Sequence, residues 1–506
     1  MRGEGMYTET DRITAMIKKG ANTSISEKQF IELEIAAWKT SAARKAMING
    51  ERYYGGDQDI MDRVRSVIGR DGVLTAVTNL PNNKIVDNQY AKMVDQKVNY
   101  LVGQPLTVNS KDTKYVAALQ TVFNKRFHRK LKALAEDSLN CGITWIYPYY
   151  GEDGTFQFKL FQGYEVLPFW KDAEHTILDF AVRLYEVEAY EGIISTTVEK
   201  VEVYKKTGID RYVLMNNILV ADIQNPSSDY LIYEDESGQQ SGFNWDKIPL
   251  IAFKYNNKET PLVKKVKSLQ DGINAMLSDF ENNMQEDGRN TILIIKNYDG
   301  TDLGQFRHNL ATYGAVKVKT VDGADGGVEA LQIEVNSDNY KAILEVFKKA
   351  LIENAMGYDA KDDRMAGTPN QMNIMSMYSD IDLDANSMET EYQAAFEELL
   401  WFINAHLAND GFGEFNGVDV EIIFNRSMMM NESETITNCS SSVGMLSNET
   451  ILAQHPWVTD VKEEMKKIEA EKKTAMDEYQ TAFPTKTDPN ADPKADPGAG
   501  GLNETI

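Results

Sequence analysis

A pair of amphipathic helices that brackets a short β-rich stretch is the feature that most constrains how this chain can fold. Thr260–Pro261 is a typical helix start, with a side-chain oxygen at the N-cap and a proline at the first helical position. Apolar residues then recur at three- and four-residue steps over 261–286, and again over 337–357. Two antiparallel helices with a β cap form a stalk that has little core of its own. The side chains expected to be buried within the stalk or between subunits are Val263, Val266, Ile273, Phe280, Ile343 and Phe347.

A polar loop and a very long helix follow this stalk. Residues 358–367 stand between Gly357, which ends one helix, and Thr368–Pro369, which begins the next. That helix is predicted over 368–410, which is roughly 60 Å at 1.5 Å per residue, with a bend in the polar interval 379–387. The charged residues of the loop are Asp359, Lys361, Asp362, Asp363 and Arg364. Its acids lack the glycine and the distal glutamate of a calcium loop, so no metal site is predicted.

The composition indicates a large chain with an unusual negative charge. Its 506 residues suffice for two to four domains, and its net charge is −24. A protein that holds nucleic acid by counterion release is normally basic, so any DNA role must be local or must benefit from a surface that repels phosphates. Cys141 and Cys439 are the only cysteines, which excludes a disulfide framework. No apolar run approaches the roughly 18 residues of a membrane helix, and the first residues lack the apolar core of a signal peptide, so no membrane association is expected.

The remaining sequence predicts an α+β fold, with helices first, then strands, then helices again. One helix is predicted from a capping box at Ser26 and Gln29 to about Gly50, and another over 113–140. Residues 141–255 consist of short aromatic and β-branched segments separated by glycine-rich turns, which are typical of a mainly β layer. Between the two stalk helices a helix and three short strands are predicted. The strand sequences are TILIIKN, AVKVKT and VEALQIEV.

Sequence signatures of catalysis are mostly absent. The chain has no P-loop, no GxSxG elbow and no HExxH motif. Its five histidines show no metal-ligand spacing with each other or with the cysteines. We therefore expect no enzyme activity, no catalytic residue and no cofactor. An enzyme with a pocket in the 141–255 β region remains an alternative.

Two segments near the N-terminus carry a resemblance to a known family. GERYYGGDQDI (50–60) and LPNNKIVDNQYAKMVDQKVNYLVGQPLTV (80–108) resemble the N-terminal signature of portal proteins from tailed bacteriophages, in the class typical of long-tailed phages of Gram-positive hosts. The later order of helix, α/β insertion, helix, polar loop and long helix is similar to the stem, clip, stem, tunnel loop and spine of that family. EIIFNRSMMMNESET (421–435) resembles part of its crown, so the resemblance covers roughly residues 26–480.

This resemblance implies a ring-forming portal fold with an α/β wing, a two-helix stem, a small α/β clip, a long bent spine helix and a helical crown. The predicted parts are a flexible N-terminal arm over 1–25, a wing over 26–260 that is helical over 26–140 and mainly β over 141–260, stem helices over 261–286 and 337–357, the clip over 287–336, the tunnel loop over 358–367, the spine over 368–410, the crown over 411–480 and a disordered acidic tail over 481–506.

The resemblance also implies a function. Portal proteins form a homododecameric ring at one capsid vertex, and such a protein is a virion component assembled in the cytoplasm of the bacterial host. The implied partners are about eleven further copies of the chain, double-stranded DNA passing through the channel during packaging and ejection, the terminase large subunit, a head-completion or adaptor protein, and the major capsid and scaffolding proteins. Residues 358–367 are expected to project into the channel, where Lys361 and Arg364 touch phosphates weakly. Another ring-forming head–tail connector or structural protein remains the second alternative.

Overall fold

The computed structural model combines helices and sheets, which confirms the predicted α+β class. The structure describes residues 26–68, 72–78, 80–192, 194–234, 239–286, 292–297, 302–313, 317–320, 323, 325–331, 337–359, 371–426, 432–458 and 461–482. These residues fall into two compact units. The larger unit takes in the described residues of Met1–Ala360 and Met377–Met428, and the smaller unit those of Lys361–Ser376 and Met429–Ile506.

The helices that precede the sheets are shorter than the sequence pattern predicts. Their bounds are Glu27–Thr40 (α1), Ala42–Tyr54 (α2), Gln89–Val102 (α3), Thr113–Val122 (α4) and Lys125–Cys141 (α5). The first predicted helix starts at the expected capping box but ends at Ser41, whose hydroxyl caps α2. The predicted 113–140 helix is broken at Asn124, whose side chain accepts hydrogen bonds from the first N–H groups of α5. In both cases a short polar side chain replaces the bonds that a continuous helix would make.

Residues 141–255 fold mainly into antiparallel strands. Three short strands precede this region: Ser66–Ile68 (β1), Leu74–Ala76 (β2) and Thr107–Asn109 (β3). The strands within it are Ile143–Tyr150 (β4), Phe156–Phe161 (β5), Val166–Trp170 (β6), Leu178–Glu191 (β7), Ile194–Lys205 (β8), Gly208–Met215 (β9), Ile218–Ala221 (β10), Ser227–Ser228 (β11), Leu231–Glu234 (β12), Gln240–Phe243 (β13) and Ile251–Lys254 (β14). One sheet has the order β14-β4-β5, and a larger sheet has the order β10-β9-β8-β7-β6.

The core of this region lies between the two sheets and the preceding helices. Trp145 of β4 stacks on Trp170 of β6 with ring centroids 5.7 Å apart, and both rings belong to a buried cluster that includes Cys141 at the end of α5. A second buried cluster joins Ile35 and Trp38 of α1 to the large sheet. Burial of each such large side chain contributes about 1.5–3 kcal/mol, so the sheets and helices form one stable body.

The predicted stalk consists of two packed helices and a small β element. Its elements are Val263–Glu286 (α6), Ile292–Lys296 (β15), Leu303–Tyr313 (α7), Gly327–Leu331 (β16) and Ser337–Asn354 (α8). Three strands were predicted between α6 and α8, but in the described residues the sheet is a two-stranded ladder of β15 and β16. The stretch around Lys319 contributes one backbone bond, from its N–H to the carbonyl of Asn297 at 2.7 Å. Residues 314–316 and 321–322 lie outside the described residues, so the third strand stays a prediction.

A very long helix follows, as the sequence predicts. The helix Gln371–Asn409 (α9) is 39 residues, about 58 Å at 1.5 Å per residue, and it remains helical through the polar interval 379–387. The predicted start at Thr368–Pro369 lies outside the described residues. A short strand, Glu421–Ile423 (β17), pairs with β3. The remaining helices belong to the smaller unit and are Glu432–Ser441 (α10), Asn448–Gln454 (α11) and Val461–Ala482 (α12). In the described part of the chain no helix has both the length and the apolar character needed to cross a bilayer.

Candidate functional site

The polar loop predicted at 358–367 begins at a firmly held position. The Gln96 side chain of α3 bonds both backbone groups of Tyr358: its Oε1 accepts from the N–H at 3.0 Å, and its Nε2 donates to the carbonyl at 2.8 Å. Lys97 donates from Nζ to the carbonyl of Met356 at 3.1 Å. A Cβ on Gly357 would lie 2.9 Å from Gln96 Oε1, so this close approach favours glycine. The chain that leaves α8 is therefore fixed to α3.

A buried ion pair lies directly behind this contact. Lys97 Nζ is 2.6 Å from Asp384 Oδ2 of α9, and the two side chains are 4% and 9% exposed. Tyr255, which follows β14, donates to the same carboxylate at 2.8 Å, and Lys265 Nζ of α6 lies 3.6 Å from its other oxygen. Burial lowers the pKa of Lys97, although the Asp384 carboxylate opposes that shift. One carboxylate thus joins α3, α6, α9 and the end of β14, and removal of Asp384 would leave the buried charge of Lys97 uncompensated.

Aromatic stacking extends this connection along α3 and α9. The ring of Tyr358 lies 4.5 Å from that of Tyr378 on α9, and Tyr378 lies 5.7 Å from Tyr100 on α3. The Tyr100 hydroxyl donates to Asp382 at 3.1 Å, and the guanidinium of Arg426 bonds the same carboxylate. Burial and the Asp382 carboxylate raise the pKa of Tyr100 to about 12, so this tyrosine stays a neutral donor. The end of α8 and the Tyr378 region of α9 therefore converge on one face of α3.

A different face of α6 binds the extended segment that leads into α3. Buried polar side chains at every fourth residue of α6 accept hydrogen bonds from backbone N–H groups of this segment and of the first turn of α3. Asn282 Oδ1 accepts from Asn83 at 2.8 Å, Ser278 Oγ from Ile85 at 2.9 Å, Asn274 Oδ1 from Asp87 at 3.0 Å, and Gln270 Oε1 from Tyr90 at 3.0 Å. We call these four bonds the amide ladder.

The amide ladder works because two structural repeats nearly match. Four residues of helix rise about 6 Å, and two residues of extended chain advance about 6.6 Å, so the N–H groups of Asn83, Ile85 and Asp87 meet successive turns of α6. The fourth bond comes from Tyr90, in the first turn of α3. Gln270 also donates to the Asp87 carbonyl at 2.8 Å, and Asn274 donates to Gln58 Oε1 at 2.5 Å. A buried N–H without an acceptor costs about 1–3 kcal/mol, so α6 satisfies the extended segment as a neighbouring strand would.

The six apolar side chains predicted for the stalk have three different environments. The fully buried ones are Val263, Val266 and Ile273, at 2%, 0% and 0% exposure. Phe280 packs on Tyr340 with ring centroids 5.1 Å apart. Phe347 lies over the backbone of α6, where a Cβ on Gly272 would come within 2.7 Å of its ring. Ile343 is 47% exposed within the chain, and its burial between subunits stays a prediction.

Of the five loop residues predicted to face a channel, only Asp359 lies in the described part of the chain. It is half-buried. Lys361, Asp362, Asp363 and Arg364 lie outside the described residues. The structure therefore brings together the residues that hold the loop rather than those of the loop itself.

The sequence interpretation missed the residues that hold these elements together. Gln96 and Lys97 stand within an ordinary amphipathic helix, and nothing in the chain links them to Tyr358 or Asp384 before folding. The amide ladder did leave a signal. Its side chains recur at intervals of four, at 270, 274, 278 and 282, and polar residues at that spacing form one face of a helix.

Comparison with known proteins places the chain in a family. The profile described as "Phage portal protein, SPP1 Gp6-like" matches residues 39–478. The chain belongs to this family of phage portal proteins. It is 28% identical over 465 residues to the portal protein of Bacillus phage SPP1, with 90% of each chain covered. It is 27% identical over 451 residues to the portal protein of Clostridium phage phiCD119, with 85% of this chain and 95% of the relative covered.

One chain of a solved particle structure also matches, at low similarity. A chain of the "Virion of native gene transfer agent (GTA) particle" is 14% identical, covers 72% of this chain and 89% of its own length, and has a TM-score of 0.37. At that score the likeness supports no inference about this chain.

Portal proteins are structural proteins of phage virions, and the family is not one of enzymes. The alternative of a pocket in the β region can be compared with the cavity found there. A cavity of about 520 Å³ lies between the start of α5, the β4–β5 turn and the end of α9. His406 at its edge is stacked on Phe156 at 4.5 Å and bonds the Tyr150 hydroxyl at 3.0 Å, and burial lowers its pKa. No group of three His, Cys, Asp or Glu residues in the described ranges could hold a metal.

Proposed function

We propose that this chain forms a closed ring of about twelve copies at one vertex of a phage capsid. Double-stranded DNA would enter and leave through the ring, which would dock the terminase large subunit and a head-completion or adaptor protein. The major capsid and scaffolding proteins would surround it, and assembly would take place in the host cytoplasm. The observation that carries this proposal is the portal-family match over residues 39–478.

The assignment of parts follows the order of the elements. In this proposal α6 and α8 are the stem, residues 287–336 are the clip, α9 is the spine, residues 411–480 are the crown and residues 26–260 are the wing. The pairing of α6 with α8 and the length of α9 support this assignment.

The stem itself supports assembly into a ring. Along α6 and α8, Met284, Ile343 and Val346 are 57%, 47% and 63% exposed, although polar residues would suit these positions in a solitary helix pair. Head-to-tail contact around a closed ring would cover such side chains without leaving an open end. Their burial would add to stability at every subunit boundary.

The loop at 358–367 is proposed to face the channel. The bonds from Gln96 and Lys97 fix the chain just before it, so the loop would start from a rigid base. Lys361 and Arg364 stand among three aspartates, and screening over roughly 8–10 Å would keep their attraction for passing phosphates weak. Exchange of both cations for glutamate should leave rings intact and lower DNA packaging. Unchanged genome filling by that variant would contradict a role in translocation.

Mass photometry and negative-stain microscopy of the purified protein test the ring directly. We expect hollow rings with a mass near twelve or thirteen subunits of 57.0 kDa. A single chain or a small compact oligomer, at concentrations where related portal proteins assemble, would contradict the proposal.

A further inference from the structure

One stretch of this acidic chain has the opposite charge. Across the whole sequence 77 acidic residues outnumber 53 lysines and arginines. Between residues 111 and 135 only one carboxylate is present, that of Asp112, and it caps the start of α4. The cations of the same stretch are Lys111, Lys114, Lys125, Arg126, Arg129, Lys130 and Lys132.

The cations of α5 share one exposed area, which we call the basic face of α5. Lys125, Arg126 and Arg129 are exposed. Lys130 donates to the carbonyl of Phe158, and Lys132 donates to Asn99 Oδ1 at 2.9 Å, so both bond neutral oxygens. Within the described residues no carboxylate lies within ion-pair distance of these five side chains.

Two arginines of the larger unit, Arg52 and Arg426, are by contrast neutralised. Arg52 lies within 4 Å of Asp57, Asp59 and Asp62. Arg426 pairs with both Asp382 and Glu389. The basic face of α5 is therefore unlike these sites, because its charge is left available to an external partner.

The position of these cations is also unfavourable for the helix that carries them. Lys125 and Arg126 occupy the first turn of α5, where the helix dipole is positive and acidic residues are preferred, and that turn has no acidic residue. By contrast, α1 has Glu27 in its first turn. Because these side chains oppose the helix dipole and form no ion pair, their charge does not serve folding.

We propose that the basic face of α5 binds the phosphate backbone of double-stranded DNA from outside the channel. This inference rests on the proposed function for the presence of DNA beside the protein. Exposed cations that form no ion pair within the chain bind phosphates by counterion release and need no apolar anchor. Phe127, the large apolar side chain of this turn, is 4% exposed and does not itself anchor a protein partner, so an acidic protein is the alternative outcome of the test.

Closed circular DNA separates this surface from the channel, because a covalently closed duplex cannot thread a closed ring. The test variant is K125E/R126E/R129E in the full chain. The matched control is K28E/K45E/K258E, which changes exposed lysines on α1, on α2 and in the β14–α6 connection. Each triple variant replaces three positive charges by three negative ones, so both change the net charge by −6. Binding of a closed circular duplex is measured by gel shift over a salt series.

We expect the wild-type protein to bind the circle at low salt, and the basic-face variant to bind at least tenfold more weakly. The plot of log affinity against log salt should be less steep for the basic-face variant than for the wild type, by roughly 2.7 in slope, because each lost phosphate contact contributes about 0.9. The control variant should stay within about threefold of wild type. Thermal unfolding should show both variants folded, since glutamate suits the first turn of α5.

Three results would overturn the proposal. Equal weakening in both variants would mean that net charge alone matters. Unchanged binding by K125E/R126E/R129E would place the contact elsewhere. Absence of binding by the wild type at low salt would leave an acidic protein as the partner of this face. If the protein forms rings but does not bind the closed circular duplex, only this inference is contradicted. If the protein does not form rings, the proposed function is contradicted.

Discussion

The two helices of the stalk are held in opposite ways. Most of α6 is satisfied inside the chain, because Val263, Val266 and Ile273 are buried and its amide ladder accepts N–H groups from the segment leading into α3 and from the first turn of α3. On α8 the residues that face α6 pack against it, but Ile343 and Val346 remain exposed beside them. The first helix therefore belongs to the fold of one chain, whereas the second has a surface suited to a neighbouring chain. Changes on α6 should act on folding, and changes at this surface of α8 should act on assembly.

The largest loss of folding stability is expected at the carboxylate that joins α6 to α3 and α9. Asp384→Asn leaves Lys97 buried without its counter-charge, and breaking such a pair costs about 3–5 kcal/mol. Urea unfolding of the unassembled chain measures this loss. Glu397→Gln, at an exposed position of the same helix, is the control and should change stability by less than about 0.5 kcal/mol. Equal effects of the two substitutions would mean that the buried pair does not hold these helices together.

A smaller loss is expected in the amide ladder. Gln270→Ala removes the acceptor for the Tyr90 N–H and the donor to the Asp87 carbonyl, which leaves buried polar groups unpaired at a cost of about 1–3 kcal/mol each. Gln285→Ala is a matched control, because Gln285 lies on the same helix with an exposed side chain that donates to Glu281. Hydrogen exchange at the Asp87 and Tyr90 amides should accelerate in the first variant only. If these two amides exchange as slowly in the Gln270→Ala variant as in the wild type, the hydrogen bonds of the ladder do not stabilise this segment.

Folding stability should also depend on pH, because two carboxyl groups are buried in the interior of the chain. Burial raises the pKa of Glu51 to about 7 and that of Asp137 to about 8, beside the Tyr90–Asn140 contact at the end of the ladder. Between the ordinary and the raised pKa the folded state binds more protons than the unfolded state, so stability falls as pH rises from about 5 to 8. Asp137→Asn should flatten this dependence by about 1.4 kcal/mol per pH unit over that window. A slope that is the same in variant and wild type would contradict the assignment.

The smallest effect on folding, with the largest effect on assembly, is expected at Ile343. Ile343→Asp should change the stability of the unassembled chain by less than about 0.5 kcal/mol, because the side chain is already 47% exposed. It should nevertheless prevent rings, since a charge would have to be buried between copies. Phe347→Asp is the contrasting variant and should lower both stability and assembly, because Phe347 packs on Gly272. Size-exclusion chromatography and urea unfolding together distinguish these outcomes.

The sequence was sufficient for the helices of the stalk, the long α9 and the family, because each depends on local periodicity or on motif strings. It was insufficient where side chains distant in the sequence meet. The contact of Lys97 with Asp384 spans 287 positions, and that of Gln96 with Tyr358 spans 262. Local signals were also misread where a capping residue interrupts a periodic pattern, as at Ser41 and Asn124.

Thiol labelling of Val346→Cys tests most directly whether the exposed surface of α8 is an interface. Both native cysteines, Cys141 and Cys439, are buried, so the background reaction should be slow. Glu353→Cys, at an exposed position near the end of the same helix, is the control. The account predicts that the thiol introduced by Val346→Cys is protected in the ring fraction and reacts rapidly in the dissociated chain, whereas the control thiol loses much less reactivity on assembly. Equal, rapid labelling of the Val346→Cys variant in rings and in single chains would contradict the account.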